Sequence, residues 1–72
     1  MPDDIATRAY EFRVAGPVPQ DIAETFPELD TVAIGTQTVF YGDVVDEAHL
    51  WGLLNRFQLC GLLIVEMRPR PS

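Results

Sequence analysis

The stretch DEAHLWGLLNRFQLCG, residues 46–61, predicts a helix with a recognisable residue at each end. Asp46 suits the N-cap position, because its carboxylate accepts a hydrogen bond from an N–H of the first turn, and Glu47 follows at the first helical position. Gly61 stands at the C′ position, where glycine commonly ends a helix. The apolar residues recur every three or four positions, as on the buried stripe of a helix: Leu50, Leu53, Leu54 and Phe57.

The residues that follow, 62–68, predict a strand, because they form a short apolar run that contains β-branched side chains. Successive side chains of a strand point to opposite faces of the sheet. One set consists of Leu63, Val65 and Met67, and the other of Leu62, Ile64, Glu66 and Arg68. We expect the first set to face the helices.

Two short β-rich runs, residues 31–35 and 38–42, precede this helix and predict a hairpin around Thr36 and Gln37. With an even number of loop residues, one face carries Val32, Ile34, Val39 and Tyr41, and the other carries Ala33 and Phe40. We expect this even loop, with Ala33 and Phe40 on the face away from the helices. An odd loop would invert the second strand and bury Phe40 instead.

The first part of the chain predicts one more strand and one more helix. Residues 9–15 alternate between apolar and charged side chains, as in a strand with one buried face formed by Tyr10, Phe12 and Val14. Residues 18–26 place apolar side chains at helical spacing: Val18, Ile22, Ala23 and Phe26. This helix is short, because proline at position 27 disfavours helical geometry at the residue before it.

The order strand, helix, strand, strand, helix, strand is that of the ferredoxin-like split βαβ unit. We therefore expect an α+β, two-layer sandwich whose antiparallel sheet has the order 4-1-3-2, with both helices on one face. Residues 9–68 form the single predicted domain. Residues 1–8 and 69–72 are predicted to be flexible tails.

The other face of this predicted sheet is open and mixes charged with apolar residues. Strands one and four are neighbours, so Glu11 and Arg13 can pair with opposite charges on the last strand. The predicted apolar members of this face are Phe40, Leu62 and Ile64, together with Ala33. An exposed apolar patch with a charged rim is typical of an interaction surface.

Trp51 is a second candidate contact residue, because it lies beside the buried stripe of the long helix. Tryptophan is enriched among the residues that dominate binding energy at interfaces. We therefore include Trp51, with Phe40, Leu62 and Ile64, among the candidate interface residues.

The small size of the chain favours self-association. A domain of 72 residues buries only about 60% of the surface that its unfolded chain exposes. Such domains often need disulfides, a metal or a partner subunit. Cys60 has no second cysteine to pair with, and one cysteine with one histidine does not make a four-ligand zinc site. We therefore expect a homodimer.

Charge and hydropathy argue against several other classes of partner. Eleven acidic residues against five arginines give a net charge of −6, and this field repels nucleic acid. No apolar run reaches the 18 residues of a membrane span. Residues 1–7 carry Asp3 and Asp4 where a signal peptide needs positive charge, so we expect no export. The single cysteine agrees with a reducing compartment, so we expect a cytoplasmic protein.

No arrangement of residues in the sequence predicts catalysis, a cofactor or a metal site. His49 and Cys60 are eleven residues apart on one helix, and thus roughly 16 Å apart along its axis. This separation is too great for a Cys–His pair. The acidic residues Asp43, Asp46 and Glu47 are expected to serve helix capping and solubility.

Two segments carry a resemblance to known proteins. They are Tyr10-Glu11-Phe12-Arg13-Val14 and the run GDVVDEAHLWGLL at residues 42–54. The chain resembles, over residues 9–68, a group of short uncharacterised bacterial proteins that pair a Tyr-x-x-Arg-Val strand with a Gly-x-Val-x-Asp-Gln-Ala-x-Leu-x-Gly-Leu-Leu helix start. Here Glu47 replaces the glutamine, and Trp51 occupies a position that is often smaller or polar. The resemblance implies the split βαβ fold and no known activity.

Three functional hypotheses follow. The first is a non-enzymatic interaction or accessory module that forms a homodimer through the open sheet face, with an unknown protein partner as a further option. The second is a regulatory domain of the ACT kind. ACT domains have the same topology and bind amino acids at the turn that here reads Gly16, Pro17 and Val18. The third is a small dimeric αβ-barrel enzyme that uses His49 or Tyr41.

Overall fold

A computed structural model describes residues 8–70 and contains one four-stranded sheet and two helices. The elements are β1 (Arg8–Ala15), α1 (Gln20–Ala23), β2 (Asp30–Ile34), β3 (Gln37–Val44), α2 (Glu47–Leu59) and β4 (Ile64–Pro69). The sheet order is β2-β3-β1-β4, which is β4-β1-β3-β2 when counted from the other edge, and all neighbours are antiparallel. The chain is thus an α+β, two-layer sandwich, as expected from the sequence.

The predicted tails fall mostly outside residues 8–70. Within the described part, Arg8 is already the first residue of β1, and Pro69 is the last residue of β4. The backbone N–H of Arg70 donates to the carbonyl of Ala9 at 2.8 Å. The sheet therefore extends slightly beyond the limits predicted for the domain.

Helix α2 has the predicted caps. The carboxylate of Asp46 accepts a hydrogen bond from the N–H of His49 at 2.8 Å. At the other end Gly61 has a φ of 74°, its N–H donates to the carbonyl of Gln58, and the N–H of Leu62 donates to that of Phe57. These two hydrogen bonds form a Schellman motif, which requires a left-handed residue at C′ and therefore favours glycine.

Helix α1 is shorter than predicted, because only Gln20–Ala23 is α-helical. After Ala23 the backbone continues in tighter turns: the N–H of Thr25 donates to Ile22, and the N–H of Phe26 donates to Ala23. Pro27 has no N–H with which to continue the helix. Only one turn therefore covers this side of the sheet.

Four phenylalanine rings form the centre of the core, and each comes from a different segment. Phe12 lies on β1, Phe40 on β3, Phe57 on α2, and Phe26 in the turn after α1. All four are fully buried, and the rings of Phe26 and Phe57 stack with their centroids 4.5 Å apart. The remaining buried members of this cluster are Val14, Leu29, Val44 and Leu53.

The face predicted for β3 is wrong, although the loop is even as expected. The hairpin loop is Gly35 and Thr36, so Val32 pairs with Val39 and the predicted sets of side chains do share faces. However, Phe40 pairs with Phe12 and faces the helices, whereas Val39 and Tyr41 lie on the open face. The strand also continues to Val44, which places Phe40 and Val44 in phase on the buried side.

Gly42 shows how closely the turn segment approaches β3 on that buried side. A Cβ atom at Gly42 would lie 2.9 Å from the carbonyl oxygen of Glu28 and 2.9 Å from Cδ2 of Leu29. Real side chains do not tolerate such a contact with backbone atoms. Glycine here therefore allows Leu29 to enter the core.

The faces predicted for β4 are wrong at its start and right at its end, because the strand contains a bulge. Arg13 pairs with Glu66 while the next residue, Val14, pairs with Ile64, so Val65 is an extra residue in β4. An extra residue inverts the alternation of side chains on one side of it. Ile64 consequently faces the core, together with Leu62, while Leu63 and Val65 are exposed. Beyond the bulge the prediction is confirmed, since Met67 pairs with Phe12 and the side chains of Glu66 and Arg68 lie on the open face.

Candidate interaction surface

The open face of the sheet has an apolar half on β2 and β3, which we call the β2–β3 patch. It consists of Val32, Ile34, Val39 and Tyr41. Val32 and Ile34 are 44% and 49% exposed, which is high for β-branched residues at the middle and end of a strand. Val39 is only 5% exposed although it is not part of the core cluster, because Arg13 and Val32 lie beside it on the neighbouring strands.

The other half of the open face carries a network of five charged side chains on β1 and β4 and just after β4. Glu11 forms ion pairs with three arginines, at N···O distances of 3.6 Å to Arg13, 3.4 Å to Arg68 and 3.8 Å to Arg70. Glu66 lies 3.4 Å from Arg13 and 3.8 Å from Arg68. The predicted pairing of charges across strands one and four is therefore present.

The charged half makes one contact with the β2–β3 patch and contains one donor without a hydrogen bond. The guanidinium of Arg70 lies over the ring of Tyr41, 4.9 Å from its centroid, which joins the network to the β2–β3 patch. The Nε of Arg13 is shielded from solvent and makes no hydrogen bond within the described residues, although Glu66 Oε1 is 3.4 Å away. The network therefore leaves one donor without a properly aligned acceptor.

None of the four predicted interface residues lies on the open face of the sheet. Phe40 is fully buried, and Leu62 and Ile64 pack against the core cluster. Trp51, by contrast, is 64% exposed on α2. Part of the open face is apolar, as predicted, but this part is formed by Val32, Ile34, Val39 and Tyr41, which the sequence pattern predicts to face the helices.

A second polar cluster joins α2 to the segment between α1 and β2. Arg56 Nη1 donates to both carboxylate oxygens of Glu28, at 3.1 and 3.2 Å, and to the carbonyl of Thr25 at 3.1 Å. His49 Nε2 lies 3.3 Å from Glu28 Oε2. Partial burial raises the pKa of Glu28, but hydrogen bonds from its own backbone N–H, from Arg56 and from His49 outweigh this effect, so the pKa of Glu28 lies below its usual value.

The contacts of His49 assign its tautomer. The backbone N–H of Val45 donates to Nδ1 at 3.1 Å, so Nδ1 carries no proton and the neutral ring is protonated at Nε2, which donates to Glu28. Both ring nitrogens are thus engaged within the chain. Tyr41 lies on the opposite side of the sheet, so the structure does not bring together the two residues considered for catalysis. Cys60 is half-buried, and its Sγ lies 3.8 Å from the hydroxyl of Thr25.

The turn at Gly16, Pro17 and Val18 is tied to the hairpin. The N–H of Gly16 donates to Thr36 at 2.8 Å, and its carbonyl accepts from the hydroxyl of Thr38 at 3.1 Å. Both backbone groups of Gly16 are therefore occupied. A shallow cavity of about 380 Å³ lies elsewhere, between α1, the start of β2 and Tyr41.

Two classes of site are not formed by residues 8–70. No three side chains of His, Cys, Asp or Glu in this range are grouped so that they could hold a metal ion. Neither of the two helices in this range has the length and apolar character that a membrane crossing requires.

Comparison with known families identifies the domain. The family model described as Domain of unknown function (DUF8691) matches residues 9–68, which span β1 to β4 almost completely. Comparison with curated proteins and with solved structures gives no match. Because the family model covers most of the 72 residues, this chain belongs to the DUF8691 family of domains of unknown function.

Proposed function

We propose that this chain is a non-enzymatic interaction module with a ferredoxin-like sandwich fold, which forms a homodimer through the open face of its sheet. The observation that supports this proposal is the β2–β3 patch. Val32 and Ile34 remain about half exposed beside the already buried Val39. Covering them would remove apolar surface from water, which is the main favourable term in most protein–protein association.

The size of the open face limits the area of a dimer contact. Four strands spaced by about 4.8 Å, with five to eight residues at about 3.3 Å each, form a face of roughly 19 by 22 Å. The flat area of this face is roughly 400 Å², about half of the roughly 800 Å² per partner of a standard interface. The described chain exposes 4621 Å² in total, so a contact through this face would cover roughly a tenth of it.

Charge also favours a second copy on this face. The whole chain carries −6, so two copies repel each other through most of their surface. Three of its five arginines, Arg13, Arg68 and Arg70, are on the open face, where they meet Glu11 and Glu66. The network alone therefore carries a net charge of +1. Two copies that approach through this region therefore experience less like-charge repulsion than they would through the rest of the surface.

Substitution of Val32 by lysine tests the proposal. We expect the wild type to sediment as a dimer at a concentration on the order of 50 µM, and Val32→Lys as a folded monomer of 8.1 kDa. Thr31→Lys is the matched control, because Thr31 is the exposed neighbour on β2 that points to the other face. A monomeric wild type, or a Val32→Lys variant that stays dimeric, would contradict the open-face dimer.

The two alternatives remain predictions with tests of their own. The ACT-like hypothesis needs a ligand near Gly16, Pro17 and Val18, and a panel of amino acids read by thermal shift would reveal it as a raised melting temperature. The enzyme hypothesis needs His49 or Tyr41 to act on a substrate. Loss of a measured turnover in His49→Ala, with the fold retained, would support that hypothesis.

A further inference from the structure

The start of helix α2 contains a reciprocal capping arrangement in which a histidine replaces the usual Glu or Gln. The carboxylate of Asp46 accepts a hydrogen bond from the backbone N–H of His49, three residues later, at 2.8 Å. In return, Nδ1 of His49 accepts from the backbone N–H of Val45, the residue before the N-cap, at 3.1 Å. In an ordinary capping box the returning acceptor is a Glu or Gln side chain at the third helical position. Histidine at that position makes the returning acceptor sensitive to protonation near neutral pH.

The second ring nitrogen of His49 reaches a different segment of the chain. Nε2 lies 3.3 Å from Glu28 Oε2, in the segment between α1 and β2, and the His49 side chain is only 21% exposed. Arg56, two turns further along α2, donates to both carboxylate oxygens of Glu28. His49 therefore connects the loop between β3 and α2 with the first turn of α2 and with the segment that precedes β2.

Protonation of His49 affects its two side-chain hydrogen bonds in opposite ways. A neutral imidazole has one donor and one acceptor nitrogen, whereas an imidazolium has two donors and no acceptor. The Nε2–H that donates to Glu28 is kept, and the positive charge on the ring strengthens this bond to the carboxylate. The proton that arrives at Nδ1, however, faces the backbone N–H of Val45. Because two donors cannot bond to each other, the hydrogen bond between Val45 and His49 has to break.

The charged groups around the ring come from three parts of the chain. Glu28 contacts His49 from the segment before β2, Asp46 contacts it from the N-cap, and Arg56 bonds to Glu28 from the third turn of α2. The pKa of Glu28 lies below its usual value, so its carboxylate stays charged in weak acid. Carboxylates ordinarily titrate near pH 4, whereas histidine changes charge between about pH 5 and pH 8. A change in this cluster above about pH 5 therefore comes from the proton on His49.

We propose that His49 is a pH-sensitive switch that controls the loop between β3 and α2. While the ring is neutral, it holds the N–H of Val45 and the carboxylate of Glu28 at the start of α2. When the ring is protonated, it keeps Glu28 and releases Val45, so the loop loosens locally. Val45 is 54% exposed, so water can replace the lost acceptor without unfolding of the domain. The switch acts within one protomer and does not depend on the open-face dimer.

NMR spectroscopy of the isotope-labelled chain between pH 8 and pH 5 tests the switch. The ring nitrogens of His49 report which of them carries a proton, and we expect Nδ1 to be unprotonated at pH 8. The amide of Val45 should shift in step with the titration of the ring. Its protection from exchange with water, relative to the intrinsic rate at each pH, should fall by about three- to tenfold, as expected for the loss of one hydrogen bond. The amide of His49, which bonds to Asp46, should keep its protection over the same range.

Two variants separate the effect of the ring from that of its surroundings. His49→Asn is the matched control, because the side-chain oxygen of asparagine accepts a hydrogen bond and does not titrate. In this variant the Val45 amide should stay protected from pH 8 to pH 5. His49→Ala removes the acceptor, so its Val45 amide should show the weak protection of the released state at every pH. Far-UV circular dichroism of both variants verifies that the fold is retained.

Three results would overturn the switch. One is a Val45 amide that does not respond while the His49 ring titrates. Another is a pH dependence that persists in His49→Asn, because it would then come from a neighbouring carboxylate. The third is a loss of protection at the His49 amide together with that at Val45, which would mean that the start of α2 unfolds as a unit. None of these results bears on the open-face dimer, which Val32→Lys tests separately.

Discussion

Phe12 and Phe40 lie directly opposite each other on β1 and β3, and the same ring on α2 contacts both of them. The centroid of Phe57 is 5.1 Å from that of Phe12 and 5.0 Å from that of Phe40. Offset and edge-to-face aromatic pairs at such distances add to the free energy gained by burial alone. This arrangement binds the two central strands to the long helix and determines which face of β3 is inside.

Phe40→Ala should therefore be strongly destabilising. Removal of a fully buried phenylalanine typically lowers the free energy of unfolding by about 3–5 kcal/mol, which approaches the whole stability of a small domain. Chemical denaturation followed by circular dichroism would measure the loss. Val32→Ala, on the exposed face of β2, is the control and should cost far less. A loss below about 1 kcal/mol for Phe40→Ala would mean that its ring is not in the core.

Adjacent residues at the start of β4 should respond oppositely to the same substitution. Ile64 packs against the core, so Ile64→Lys would bury a charge without a partner and should unfold the domain. Leu63→Lys places the charge on a side chain that is exposed and should leave the fold intact. Far-UV circular dichroism of both variants checks the bulge at Val65. A folded Ile64→Lys with an unfolded Leu63→Lys would require a regular strand without the bulge.

The stability of the domain should fall in acid partly through Glu28. Its folded-state pKa is lowered, so its contribution is fully present above the unfolded pKa near 4.5 and is lost as the pH falls through the folded value. The difference in unfolding free energy between wild type and Glu28→Gln should therefore shrink between about pH 6 and pH 3.

Arg56 contributes to the lowered pKa of Glu28, and its replacement therefore provides a control for this prediction. In an Arg56→Gln background, the difference caused by Glu28→Gln should depend less on pH, because the donor at 3.1 Å is gone. Denaturant midpoints measured at several pH values would show both effects. A Glu28→Gln difference that stays constant from pH 6 to pH 3 would contradict the lowered pKa.

Glycine-to-alanine substitutions at two positions, one within α2 and one just after it, should change the free energy of unfolding in opposite directions. Gly61 has a φ of 74°, where an alanine is strained by about 1–2 kcal/mol, so Gly61→Ala should destabilise the domain. Gly52→Ala should stabilise the monomer by about 0.5–1 kcal/mol, because nothing in the protomer opposes a methyl group there. Thermal melts at low protein concentration would compare them. A destabilised Gly52→Ala monomer would indicate a crowded site that the structure does not contain.

Local signals determined α2 and the pattern of β1 from the sequence alone. The Asp46 cap, the apolar stripe and Gly61 all act within one or two helical turns, so no distant residue is needed to interpret them. The alternation of Phe12 and Val14 with Glu11 and Arg13 is equally local, and it identifies the buried face of β1 without ambiguity. The two-layer α+β class follows from the order of such elements.

Contacts between distant segments decided the rest. β3 has apolar residues on both faces, and only its pairing with β1, which sets Phe40 against Phe12, determines which face is buried. In β4 the bulge at Val65 moves Ile64 into the core, and no local pattern marks an extra residue in a strand. Strand faces and registers depend on partners far away in the sequence, so the apolar residues of the open face could be identified only when the sheet was assembled.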